Sequence, residues 1–253
     1  MQLTVLGTGS AMPTGTRFQT GLLLEAADDT VLLDCGSGVL HGLARTDVGY
    51  EGVDTLVLTH HHLDHVSDLL VLLKARWLAG ETEMTIAGPE GTEQLVRESL
   101  AVHDYMQGRI EFTFHEFEAN AEYTLHDFSV QTFETRHSMP CLAYRFGHPS
   151  TEQELVFSGD SEAFEELIEF ADGASVLVHD CSFPDSVDVS NHPTPSQLGT
   201  VLANVDATID EVYLTHLYPH TEGRQEEMLD SLATHYDGSV TIAADGQIVK
   251  MEQ

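Results

Sequence analysis

A chain of 253 residues, 42% of them hydrophobic, can bury a substantial core; one domain over residues 1–253 is the expectation. Its 42 acidic against 10 basic residues give a formal net charge of -32, a field that repels polyanions. With Lys74 and Lys250 as its two lysines, such dispersed acidity fits a halophilic protein, since in molar salt the Debye length falls to about 3 Å and self-repulsion is screened.

The start, Met-Gln-Leu-Thr-Val-Leu-Gly, enters a strand pattern without a basic leader or cleavage site, and no apolar run approaches the roughly 18 residues of a membrane span. A cytoplasmic chain with no membrane partner is expected. Leu3 to Leu6 reads as a strand, Gly7 to Thr20 as a loop, and Gly21 to Glu25 with Thr30 to Asp34 as a hairpin ending at Asp34-Cys35-Gly36. A short helical stretch follows through Ala44. Val53 to Thr59 is an apolar strand and Val66 to Leu78 an apolar stretch of helical length. Next come a strand at Met84 to Ala87, a helix from Pro89 through Ala101, and strands at Ile110 to Phe114, Phe128 to Thr135, Cys141 to Phe146 and Leu155 to Phe157. Glu162 to Phe170 reads as a helix, Val176 to Val178 as a buried strand, and Ser182 to Pro195 as a loop. A helix starts at Thr194, Val212 to Leu214 is a strand, and a helix at Arg224 to Tyr236 precedes strands at Ser239 to Ala243 and Gln247 to Met251. The pattern predicts an α/β sandwich of two sheets with helices outside.

Between the strand ending at Thr59 and the helix from Val66 lies His60-His61-His62-Leu63-Asp64-His65. His60 and His62 are two apart and point the same way in extended backbone, whereas His61 points elsewhere. Imidazole and carboxylate together suit zinc or a similar divalent ion, and four candidate ligands so close exceed one tetrahedral ion's share from one segment, which suggests two metals. Later strand ends supply His137, Asp160 and His216. Seven ligands make a dinuclear site with room for a bridging hydroxide. Cys35, Cys141 and Cys181 have no paired spacing and read as free buried thiols.

Leu-Gly-Thr-Gly-Ser, Leu-Leu-Asp-Cys-Gly, Thr-His-His-His-Leu-Asp-His, Phe-Ser-Gly-Asp, Val-Leu-Val-His-Asp and Leu-Thr-His follow one another in an order that resembles the metallo-β-lactamase superfamily, specifically its ribonuclease Z-like branch. The resemblance implies an αββα fold, zinc on His60, His62 and His137, a second zinc on Asp64, His65 and His216, and Asp160 bridging; manganese or iron are alternatives. Asp34 would orient a ligand histidine. Asp180 and His192 match the carboxylate and histidine that handle the leaving-group proton, and a homodimer is suggested. Two features depart from the branch. Only 22 residues separate His137 from Asp160, too few for the protruding tRNA-binding arm, and the loop at Pro13 to Phe18 lacks the branch's Lys and Asn. Arg17 and Arg136 are the basic residues expected near substrate. The function expected is phosphodiester hydrolysis with Asp64, His192 and Asp180 taking part, on a small molecule or a nucleic-acid end. Alternatives are tRNA 3′ processing, an aryl sulfatase or thioesterase activity, and a metal-binding module without catalysis.

Overall fold

Every residue of Leu22-Leu23-Leu24 and Val31-Leu32-Leu33 is buried, which a strand achieves only with both faces covered, because successive side chains point to opposite sides. In the computed structural model, which describes residues 1–187 and 189–251, both faces are covered. Leu22, Leu24, Val31 and Leu33 join a core between two sheets, while Leu23 and Leu32 join another beneath helices. Each such leucine contributes roughly 1.5–3 kcal/mol by leaving water.

The first sheet holds β1 (Gln2–Gly7), β2 (Gly21–Ala26), β3 (Asp29–Leu33), β4 (Thr55–Val57), β5 (Glu83–Pro89) and β6 (Glu111–Phe117). The second holds β7 (Glu122–Leu125), β8 (Phe128–Glu134), β9 (Leu142–Gly147), β10 (Leu155–Phe157), β11 (Val176–Asp180), β12 (Glu211–Thr215) and β13 (Val240–Ile242), and β14 (Ile248–Lys250) returns to the first. Each sheet has seven strands, in the orders β14-β1-β2-β3-β4-β5-β6 and β13-β12-β11-β10-β9-β8-β7. The helices are α1 (Val39–Leu43), α2 (Leu63–Val66), α3 (Leu69–Ala79), α4 (Thr92–Ala101), α5 (Glu165–Phe170), α6 (Pro195–Asn204) and α7 (Gln225–Ala233). Val39, Leu72 and Val96 of α1, α3 and α4 pack over the first sheet; Ile168, Leu198 and Leu232 of α5, α6 and α7 pack over the second. The layers run helix, sheet, sheet, helix, as expected.

Strands β3 to β6 are mutually parallel, and so are β10 to β13. β8 runs the same way as β10 because both are antiparallel to β9. Asp34, His60, His137, Asp160, Asp180 and His216 therefore all lie at or just beyond C-terminal strand ends, where open α/β sheets place ligands. The sheets are stitched under that rim: Leu142 N donates to Thr59 O at 3.0 Å, and the Tyr144 hydroxyl to Leu58 O at 2.7 Å.

Several boundaries differ from expectation. Pro89 ends β5, its missing N–H tolerated at a strand end, and α4 begins only at Thr92. Phe164 is extended, so α5 begins at Glu165 rather than Glu162. The ligand-rich segment itself contains a helical turn, α2, before α3 starts at Leu69. Strand β7 was not foreseen. All three cysteines are free and buried. Among the described residues no helix is long and apolar enough to cross a membrane.

Candidate metal centre

Histidines fold into a buried nest only if their outer nitrogens find partners; four of the five here do. His65 Nδ1 lies 2.7 Å from Asp34 Oδ2, His60 Nδ1 3.0 Å from Thr59 Oγ1, His216 Nδ1 2.9 Å from Ser182 Oγ, and His137 Nδ1 3.4 Å from Asn191 O. Each anchor turns Nε2 inward. His62 is the exception and offers Nδ1, which lies 2.9 Å from His60 Nε2 and 3.1 Å from His137 Nε2.

Asp160 stands at the centre. Its Oδ1 is 3.3 Å from His65 Nε2, and its Oδ2 is 3.3 Å from His216 Nε2, 3.6 Å from His60 Nε2 and 3.8 Å from His137 Nε2. Burial opposes its ionisation, but the surrounding His216, His65 and His60 hold its carboxyl well below the usual range. Asp64 Oδ2 lies 3.1 Å from His216 Nε2 and 3.7 Å from His65 Nε2. The donor atoms of His60, His62, His137 and Asp160 lie within 4.8 Å of one another, as do those of Asp64, His65 and His216. All seven sequence candidates are thus brought together, in the two groups the resemblance implies, with Asp160 touching both.

The nest fits divalent cations on its own evidence of chemistry. His65 Nε2 and Asp160 Oδ1 are buried with no hydrogen-bond partner among the described residues, a costly state for two polar atoms unless a cation lies between them. Backbone strain marks the same place. Asp34 and His216 adopt φ of 58° and 59°, left-handed values that non-glycine residues rarely hold. Asp34 repays the strain with three contacts, accepting from Thr59 N and Thr59 Oγ1 at 2.8 Å each besides meeting His65. Before Asp160, Gly159 has φ +57°, and a Cβ there would meet Thr59 Cβ at 2.9 Å.

Beside the nest, His192 Nδ1 lies 2.7 Å from Asp180 Oδ2. Its ring stacks on His216 at 5.1 Å and meets that of His137 at 5.2 Å. Burial lowers its pKa, but the charge and hydrogen bond of Asp180, with Asp160 and Asp64, raise it to about 9. Ser182, absent from the sequence candidates, joins the two features: its hydroxyl donates to Asp180 Oδ1 at 2.6 Å and meets His216 Nδ1. Thr59 is the other residue the sequence did not single out. A hydroxyl at a strand end looks like any turn residue, and only the closeness of Asp34, His60 and His65 gives it meaning.

The two arginines are engaged elsewhere. Arg17 Nη1 donates to Thr8 Oγ1 at 2.5 Å and Ala243 O at 2.8 Å, pinning the loop after β1. Arg136 pairs with Glu166 at 3.2 Å and lies over the Phe164 ring at 4.1 Å. Neither side chain hydrogen-bonds a nest residue among the described residues. His61 turns away from the nest, its Nε2 2.8 Å from Thr92 Oγ1.

The family described as anti-Pycsar protein Apyc1 matches residues 1–229. The chain belongs to that family. It is a ribonuclease Z-like member of the metallo-β-lactamase superfamily, a class of metal-dependent hydrolases. A ribonuclease Z of Mycobacterium avium is 29% identical over 280 residues, covering 100% of this chain and 99% of the relative. The metallo-β-lactamase fold protein YhfI from Bacillus subtilis superposes with a TM-score of 0.83 at 24% identity, covering 98% of each chain. Human tRNase Z, short form, gives a TM-score of 0.81 at 20% identity over 100% of both chains. Motif order alone reached the superfamily and branch; the Apyc1 family is the more specific membership.

Proposed function

We propose that this family member is a dinuclear zinc phosphodiesterase acting as one domain. His60, His62 and His137 would hold one ion, Asp64, His65 and His216 the other, and Asp160 both; the imidazole-rich set suits zinc, with manganese or iron as alternatives. Ions bound there supply the Lewis acidity that makes water nucleophilic near neutral pH and offsets phosphoryl charge. The chain's own residues do the rest. Asp64 and Asp160 orient the attacking water, Asp34 and Ser182 keep His65 and His216 in the tautomer that faces inward, and Asp180 holds Nδ1 of His192 so that Nε2 delivers a proton to the departing oxygen.

The observation that carries this reading is the His192–Asp180 contact of 2.7 Å set against the ligand nest. A thiolate or a phenolate leaves without such an acid, whereas an alkoxide leaving phosphorus depends on one. A module that only stores metal has no use for it. The second reading, tRNA 3′ processing, is favoured by the full-length likeness to ribonucleases Z. Against it, β9, β10 and their turn occupy the stretch between His137 and Asp160, and a net charge of -32 opposes polyanion binding.

Metal-loaded protein in molar salt, offered nucleotide and aryl phosphodiesters, a precursor tRNA, an aryl sulfate and a thioester, tests the proposal. Turnover of the diesters is expected, with two metals per chain by elemental analysis. Cleavage of the precursor tRNA in preference to the diesters would instead support the second reading.

A further inference from the structure

One hydrogen bond holds a ring at a point and leaves its plane free to turn, so the contact with Asp180 does not by itself aim Nε2 of His192. The plane is set by packing. Strands β11 and β12 are parallel neighbours, so the segments that follow them leave the rim side by side. Ser182 and Phe183 belong to one, His216 and Tyr218 to the other. The His192 ring stacks on that of His216, 17° from parallel. Tyr218 stands across both, its ring 5.9 Å from that of His192 at 61° and 5.7 Å from that of His216 at 73°, separations at which crossed rings attract. Phe183 stacks on Tyr218 at 4.4 Å and reaches His192 at 6.2 Å. The backbone beneath the Tyr218 ring is held on both sides: its N donates to Ser182 O at 3.2 Å, and its O accepts from Thr221 N at 3.0 Å and Thr221 Oγ1 at 2.8 Å. Pro219 follows and favours extended backbone at Tyr218, where φ is -76° and ψ 160°. Half-buried, Tyr218 makes these hydrogen bonds through its backbone, and its hydroxyl makes none among the described residues.

We propose that Tyr218 is a positioning residue: its ring, backed by Phe183, fixes the plane in which His192 presents Nε2 to the departing oxygen. The inference rests on the phosphodiesterase reading, in which His192 is the acid, and adds the residue on which its aim depends. Proton transfer is sensitive to such aim, since a misplacement of about 1 Å can cost on the order of 100-fold in rate. The two imidazoles that Tyr218 meets differ in how they are held. His216 is gripped at both nitrogens, Nδ1 by Ser182 and Nε2 beside Asp64 at 3.1 Å, whereas His192 has only its Nδ1 contact with Asp180. A side chain of similar bulk without a ring therefore leaves His216 in place and lets the His192 plane tilt.

The test uses the metal-loaded full chain with two substrates, a nucleotide diester that loses an alkoxide and bis(p-nitrophenyl) phosphate, whose nitrophenolate leaves without an acid. Tyr218→Leu is expected to lower kcat on the alkoxide substrate by roughly 10–100-fold and on the nitrophenyl diester by less than about threefold, with metal content unchanged. Tyr218→Phe keeps the ring and should stay within about threefold of the wild type on both. In a His192→Ala background, Tyr218→Leu should cost nothing further, because a residue that acts through His192 then has nothing to position. Equal slowing of the two diesters by Tyr218→Leu, or an additive loss in the double variant, overturns the inference and leaves the phosphodiesterase reading in place. So does Tyr218→Phe slowed as much as Tyr218→Leu, a result that assigns the role to the hydroxyl. If Tyr218→Leu does not fold, Tyr218→Met, unbranched and closer to tyrosine in length, takes its place in the same comparisons. Failure of the metal-loaded wild type to hydrolyse either diester overturns the phosphodiesterase reading, and the inference with it.

Discussion

Asp34 shows how a residue outside the candidate ligand set fixes the geometry of the nest. Its Oδ2 faces the Nδ1–H of His65 at 2.7 Å, so Asp34→Asn puts an amide donor against a ring donor and favours the wrong tautomer. Metal affinity, measured by competition with a chromophoric chelator, should fall by roughly 10–100-fold while far-UV circular dichroism stays unchanged. Ser182→Ala strips a buried donor from Asp180 and an acceptor from His216, at a cost of about 1–3 kcal/mol. In a diesterase assay the expected loss in kcat/KM is on the order of 10–100-fold, and Ser182→Thr should recover part of it. The candidate ligands were legible in the sequence because histidines and aspartates gathered at strand ends and in the turn after β4 have few other uses. Ser182 and Thr59 were not, since a hydroxyl beside a strand carries no signal until its partners are known. Arg17 is a sparse cation in an acidic chain, and the partners that hold it, Thr8 and Ala243 O, were not readable from its place in the sequence.

At the scale of elements, continuous apolar runs such as Leu22 to Leu24 were readable as strands because two-sided burial leaves no polar gaps. Strand β7, Glu122 to Leu125, escaped because it is a short edge strand with exposed Glu122 and Thr124, and its pairing with β8 rather than its composition makes it a strand. The loop carrying His192 is held by α6 and α7. Thr194 caps α6 in a capping box with Gln197, and Asp185 accepts from Ser196 N at 3.0 Å, from Ser196 Oγ at 2.6 Å and from Ser231 Oγ. Burial opposes ionisation of Asp185, but the hydrogen bonds from Ser196 and Ser231 outweigh it and depress its pKa. The unfolded chain therefore takes up this proton first on acidification. The stabilisation is complete above the ordinary Asp value near 4 and disappears as pH falls through the depressed folded value. For an exposed carboxylate it amounts to roughly 0.5–1 kcal/mol after screening. Chemical denaturation should find Asp185→Asn less stable at pH 7 by about that amount, with the gap closing as pH falls through the depressed folded value. A gap independent of pH would mean that shape, not charge, is what Asp185 contributes.

For the whole molecule, the αββα layers followed from the alternation of strand and helix signals, and the position of the centre from the rule that parallel strands present ligands at their C-terminal ends. Family membership at the level of Apyc1 did not follow, since the motifs are shared across the branch. The net charge of -32 is the remaining global feature. Self-repulsion on that scale is screened within about 3 Å at 1 M salt and reaches across about 30 Å at 0.01 M. Dialysis from molar salt to low salt should therefore lower the midpoint of thermal unfolding and reduce activity, both recovering on salt addition. Indifference of both to salt would remove the halophilic reading.

In the proposed reaction the buried two-ion nest and the His192–Asp180 pair act together on a phosphodiester with an alcohol leaving group. It is tested most directly by comparing His192→Ala with the wild type on two diesters that differ only in leaving group, one an alkoxide and one a p-nitrophenolate. Loss of the acid should slow the alkoxide substrate by roughly 10²–10⁴-fold and the nitrophenolate substrate far less. Equal slowing of the two substrates, with metal content unchanged, would contradict the assignment.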